Sequence, residues 1–129
     1  MKLIVIPGSD FSFSFPKEIE VLVGPKDFVE LVYNAECVIT DSFHALAFSI
    51  LFKRDFFVFY RFPGGSFASE NSRITQIIDD FELHDRCIKY NGVIEQNIVD
   101  INYELVEKKL NNLRNTSRMI LNNMIVSSI

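Results

Sequence analysis

The sequence is poor in the features that mark many functional classes. It contains no tryptophan, two cysteines, five glycines and four prolines. Cys37 and Cys87 have neither the spacing of a metal site nor the number of a disulfide framework, which points to a reduced, cytoplasmic setting. Basic residues are outnumbered, 13 against 17 acidic, for a net charge of −4. A protein that tracks nucleic-acid phosphates needs a basic excess or stripe, so no nucleic-acid partner is expected. No apolar run reaches the roughly 20 residues of a membrane span. The most apolar stretch, Cys37 to Phe52, is interrupted by Asp41 and His44 and ends in Lys53-Arg54-Asp55. Met1 to Ile6 is too short for a signal-peptide core and stops at Pro7-Gly8. There is no Gly-x-Gly-x-x-Gly and no phosphate-loop spacing, which disfavours a dinucleotide-binding domain. No acidic cluster follows the first apolar run, which disfavours a receiver domain.

What is present is enough apolar material for one core. Across 129 residues, 48% are hydrophobic, including thirteen phenylalanines and four tyrosines. The pattern alternates short apolar runs with amphipathic segments. Leu3–Ile6 and Ile19–Val23 read as strands, with a Ser/Phe-rich loop between them. Gly24-Pro25 opens a helix whose apolar face is Phe28, Leu31, Val32 and Ala35. Cys37–Thr40 is a β-branched strand, and Asp41 and Ser42 are N-cap residues for an apolar helix from Phe43 to Phe52. Phe56–Tyr60 is a further buried strand, and Arg61–Asn71 a loop. Asn71 or Ser72 is expected to cap a helix carrying Ile74, Ile77, Ile78 and Phe81. Cys87–Tyr90 reads as a short strand. Asp100 or Asn102 starts a last helix with the stripe Val106, Leu110, Leu113, Ile120 or Leu121, and Met124. The spacing predicts helices near 25–34, 43–52, 72–82 and 102–125 around a mainly parallel sheet of about four to six strands. The fold class is α/β, in a single domain over 1–129.

In such sheets ligands bind beyond the carboxyl ends of the strands. The strand ending at Thr40 brings Asp41, Ser42 and His44 to that edge, and the strand ending at Tyr60 brings Arg61. Arg73, at the opening of the next helix, belongs there too. Helix N-terminal amides and arginines suit an anion, and His44 suits a general acid or base. The plain alternative is that Asp41 and Ser42 only cap the helix and His44 is a packed histidine. His84 with Asp85 and Arg86 reads as a solvated helix end, and the two cysteines as small buried hydrophobes.

The run Gly24 to Leu31, Asn34-Ala35, then Val38-Ile39-Thr40-Asp41-Ser42-Phe43-His44 and Phe48-Ser49-Ile50, resembles the polysaccharide pyruvyl transferase family. Phe56, Arg61, Asn71-Ser72-Arg73-Ile74, Leu83, Asp85-Arg86 and the closing residues Asp100, Val106, Leu110, Arg114 and Ser117 extend it. The likeness runs from about Ile19 to the C-terminus, with 1–18 an irregular strand and loop. Members often have glycine after the histidine, where this chain has Ala45. Some have arginine two residues before it, where this chain has Ser42.

The resemblance implies a Rossmann-like sheet flanked by helices, corresponding to the C-terminal half of a GT-B-like enzyme. It implies transfer of a pyruvyl group from phosphoenolpyruvate to a sugar of a surface polysaccharide, with no cofactor. His44 then takes the catalytic place, with Asp41, Ser42, Phe43, Arg61 and Arg73 binding substrate. Partners are phosphoenolpyruvate and a saccharide acceptor. A missing N-terminal half, or self-association through the Phe11–Phe15 segment, is also expected. A catalytically silent half and a sugar-nucleotide-binding half of a glycosyltransferase remain as alternatives.

Overall fold

The computed structural model describes residues 2–6, 23–60, 68–88 and 98–129. The runs Phe11–Phe15, 19–22, 61–67 and 89–97, with the expectations attached to them, lie outside the described residues.

Helix α1 (Pro25–Asn34) starts where the sequence turns from glycine to proline. Pro25 stands at its first position, where a missing N–H costs nothing. The Asp27 carboxylate reaches back to accept the Gly24 N–H at 3.1 Å. Strand β1 (Cys37–Thr40) follows, then helix α2 (Phe43–Leu51) and strand β2 (Asp55–Val58). The two strands pair in parallel, Cys37 opposite Asp55, Val38 opposite Phe56, Ile39 opposite Phe57 and Thr40 opposite Val58. Beyond β2, Val58 makes a parallel bridge to Cys87, and the Ile88 N–H donates to the Val58 carbonyl at 2.8 Å. Helix α3 (Ala68–Phe81) lies between, followed by a single 3₁₀ turn, His84–Arg86, and the long α4 (Tyr103–Ser127).

The α/β class, the parallel pairing and four helices close to the expected spans are therefore present. Among the described residues the sheet has two strands plus the bridge, smaller than the four to six expected. Leu3–Ile6 contributes one bridge residue, Val5, instead of a strand. Helix α3 begins at Ala68, ahead of the expected cap at Asn71 or Ser72, so Arg73 sits in its second turn and does not open it.

Alternation along the strands decides what is buried. Phe56 and Val58 are completely enclosed and face α2 and α3, joined by Leu46, Ile50, Ile74, Ile78, Phe81, Leu83 and Val106. The opposite face carries Cys37 and Ile39, and Ile39 is 63% exposed. Cys37 is thus exposed, contrary to its reading as a buried hydrophobe. Helix α1 packs on α2 through rings: Phe28 meets Phe48 edge-on at 6.3 Å and Tyr33 meets Phe52 at 5.2 Å. Within α2, the completely buried Ser49 hydroxyl donates to the Ala45 carbonyl at 2.7 Å.

Candidate anion site at the β1–α2 junction

At Thr40 the chain leaves the sheet and must start a helix within two residues. The Thr40 hydroxyl accepts the Ser42 N–H at 3.0 Å, which folds the link back on the strand end. The Thr40 carbonyl accepts the Phe59 N–H at 3.0 Å, so the ends of β1 and β2 stay side by side. Ser42 is the N-cap of α2: its hydroxyl accepts the Ala45 N–H at 3.4 Å and its carbonyl accepts the Leu46 N–H at 3.0 Å. The amides of Phe43 and His44, ahead of Ala45, have no acceptor among the described residues. They are the open donors that the first turn of any helix leaves, at the positive end of its dipole.

Phe43 organises the rest. Its ring packs on the core from one side. The His44 ring meets it edge-on with centroids 5.6 Å apart, and the Arg73 guanidinium lies 5.2 Å from its centroid. A histidine from α2 and an arginine from α3 are thereby gathered on one aromatic ring, with Arg73 held as a cation over a π face. His44 is exposed, so it is not the packed histidine of the plain alternative, whereas Ser42 does cap the helix. Asp41 is half-buried at the bend between strand and cap. Arg61 lies outside the described residues.

Sequence reasoning did not select Tyr60 and Thr75, which lie at the same sheet edge. The half-buried Tyr60 hydroxyl is 3.5 Å from the Thr75 hydroxyl, which donates to it, and 3.9 Å from the Cys87 sulfur. Burial raises the pKa of both Tyr60 and Cys87 above their ordinary values, so each is protonated at neutral pH. Partial desolvation, then the nearby Asp55 carboxylate, raises the pKa of the Cys37 thiol as well, although the residue is exposed. Among the described residues no group of three or more histidine, cysteine or acidic side chains could hold a metal. No described helix is long and apolar enough to cross a membrane.

The 84–86 turn also differs from its reading. His84 and Asp85 are exposed, but Arg86 is buried at 3%. Its guanidinium donates to Asp55 at 2.6 Å and to the Val99 carbonyl at 2.7 Å, over the Phe57 ring. That arginine pins the start of β2 to the segment leading into α4.

A parallel α/β layer with open amides, an exposed imidazole and a guanidinium at the carboxyl edge defines a domain suited to a small anionic ligand. Residues 2–61 match the polysaccharide pyruvyl transferase family, so the resemblance read from the residues holds over that span. The matched span begins ahead of Ile19, contains the Thr40–His44 junction and ends at Arg61. Comparison with curated proteins and with solved structures gave no match.

Proposed function

We propose that this chain supplies the donor-binding wall of a pyruvyl transferase, taking phosphoenolpyruvate at the β1–α2 junction for transfer to a saccharide. The observation that carries the reading is the coincidence of the family-matched stretch with the open amides of Phe43 and His44. Phosphoenolpyruvate bears a phosphate and a carboxylate. In this reading one anionic group takes the helix amides and the other the Arg73 guanidinium, whose fixed fork matches either. Arg61, next after Tyr60 in the sequence, is assigned to the same donor in this reading. His44 stands at the donor as the acid that protonates the enol carbon. One sugar hydroxyl adds to the resulting cationic central carbon and returns a proton to His44. Phosphate leaves that carbon, and the second hydroxyl takes its place with its proton passing to the departing phosphate, which gives a cyclic ketal. A reducing, cytoplasmic compartment suits the two free cysteines.

Titration calorimetry tests this with phosphoenolpyruvate on the wild type, His44→Gln and Arg73→Ala, and with a uridine sugar nucleotide as the competing ligand. Saturable phosphoenolpyruvate binding, weakened about tenfold or more by Arg73→Ala, is expected for a charge-assisted contact. Binding of the nucleotide alone, or phosphoenolpyruvate binding indifferent to both substitutions, overturns the assignment.

A further inference from the structure

The apolar stripe of α4 outlasts the body it packs on. Val106 is 3% exposed and Leu110 is half-buried against the core. Leu113, Ile120 and Met124 continue the same line at helical spacing, and Leu121 and Ile125 widen it. Every residue from Asn111 onward is exposed, with Ile120 at 56% and Met124 at 63%. From Asn111 to Ser127 this is an arm about 25 Å long by the α-helical rise.

Its charge is opposite to that of the body. The arm carries Arg114 and Arg118 and no acidic residue, so all 17 acidic residues lie ahead of it and the rest of the chain is more acidic than the net −4. A basic apolar arm on an acidic chain is complementary to another copy of that chain. An anionic lipid surface would attract the arm but repel the body. After Tyr103 the helix also has no aromatic residue of the kind that anchors interfacial helices. Area decides the symmetry. One arm about 10 Å across, laid on a neighbour, buries roughly 500 Å² counting both surfaces. Specific interfaces start near about 1,000 Å². Two arms exchanged reach that value, and exchange about a two-fold axis closes the assembly.

We propose that the α4 arm is a dimerisation element. Two copies exchange arms about a two-fold axis, each laying its Leu113–Ile120–Met124 stripe on the acidic body of the other. Sedimentation equilibrium of the full chain from about 1 to about 100 μM is the test, a range that brackets transient association constants. The wild type is expected to form a dimer that weakens with added salt. Ile120→Glu with Met124→Glu is expected to be monomeric with unchanged helical circular dichroism, since both side chains are exposed. Arg114→Glu with Arg118→Glu, which leaves the stripe intact, is expected to weaken the dimer about tenfold or more and to invert its salt dependence, because the glutamates repel the acidic body until salt screens them. A wild type that stays monomeric at the highest concentration overturns the proposal. So does a dimer unchanged in both double variants, or an open polymer. Flotation of the monomer with vesicles of anionic phospholipid, without dimerisation, overturns it in favour of a lipid surface.

Discussion

Lys53 and Glu82 occupy the same position at the ends of two different helices, and both tie that end to α4. Each has a φ of 56°, the left-handed region that glycine favours. In each case the residue's own N–H bonds three residues back, to Ile50 and to Asp79. The next N–H bonds five back, from Arg54 to Ser49 and from Leu83 to Ile78. Each side chain then crosses to the last helix, Lys53 to Glu107 at 2.7 Å and Glu82 to Lys109 at 2.6 Å. Two helix-ending turns that glycine would suit thus hold charged residues that fasten α4 to the body.

Backbone strain and ion pair oppose each other at Lys53. Relief of a left-handed side-chain residue is worth about 1 kcal/mol, more than an ion pair this exposed contributes. Lys53→Gly is therefore expected to raise the melting temperature, and more so in high salt, where the lost pair is already screened. Thermal melts of the variant at two ionic strengths check the sign.

The same two clasps respond to acid. Hydrogen bonds from Lys109 and Lys53 hold the Glu82 and Glu107 carboxyls below the ordinary range. A carboxylate depressed in the folded state stabilises it above the unfolded pKa of about 4.3, and that stabilisation fades as pH falls through the folded value. From about pH 5 to about pH 3 the first turns of α4 should lose protection from hydrogen exchange ahead of the core. Glu82→Gln with Glu107→Gln should weaken that acid step.

Among the described residues, Arg86 is the charged residue that the fold buries. Arg86→Ala leaves Asp55 and the Val99 carbonyl without their donor. Breaking a buried pair costs about 3–5 kcal/mol when the survivor is enclosed. The Asp55 side chain keeps 48% exposure, so a loss of about 2–3 kcal/mol is expected, below that range because water reaches the survivor. Chemical denaturation measures it, and a loss under about 1 kcal/mol would show the buried guanidinium to be dispensable.

Ser42 separates capping from ligand binding. Ser42→Ala should cost about 1 kcal/mol, and Ser42→Asp should recover most of it, because any short acceptor satisfies the Ala45 N–H. With the donor anion on the adjacent Phe43 and His44 amides, Ser42→Asp is expected to weaken phosphoenolpyruvate binding while restoring stability, by placing like charge at the site, whereas Ser42→Ala should leave binding almost unchanged.

The elements read most clearly in the sequence are those set by local chemistry. Gly24-Pro25, Ser42 and Asn102 each mark a helix start within a residue of where it falls, because capping is a contact over three or four positions. The start of α3 was hidden for the converse reason. Asn71 and Ser72 look like caps but are accommodated inside a helix that tertiary packing of Ile74, Ile78 and Phe81 holds in place. Arg86 gave no signal, since its partners lie 31 and 13 residues away. Cys37 and Ile39 belong to an apolar run that reads as buried on both faces, yet in the described residues helices cover one face only. At the candidate site, the junction residues were legible as a strand-to-helix motif. The shared Phe43 ring and the Tyr60–Thr75 contact depend on α3 lying against α2, which no local pattern encodes.

The Tyr103 hydroxyl donates to the Arg54 carbonyl and lies 3.4 Å from that of Ser49, at the corner where α2 gives way to β2. Those carbonyls precede their partner by 49 and 54 positions. Burial raises Tyr103 far above the usual phenol range, so the hydroxyl keeps its proton wherever the fold persists. At ribosomal speeds of about 5–20 residues per second, the corner is synthesised some seconds before the group that closes it. The closure is a late event in the birth of the chain. Interactions that form after the folding barrier act on the rate of escape from the native state and leave the rate of arrival almost untouched. If the last helix closes the fold in that way, Tyr103→Phe is expected to speed unfolding and leave refolding almost unchanged, which stopped-flow unfolding and refolding of the variant check.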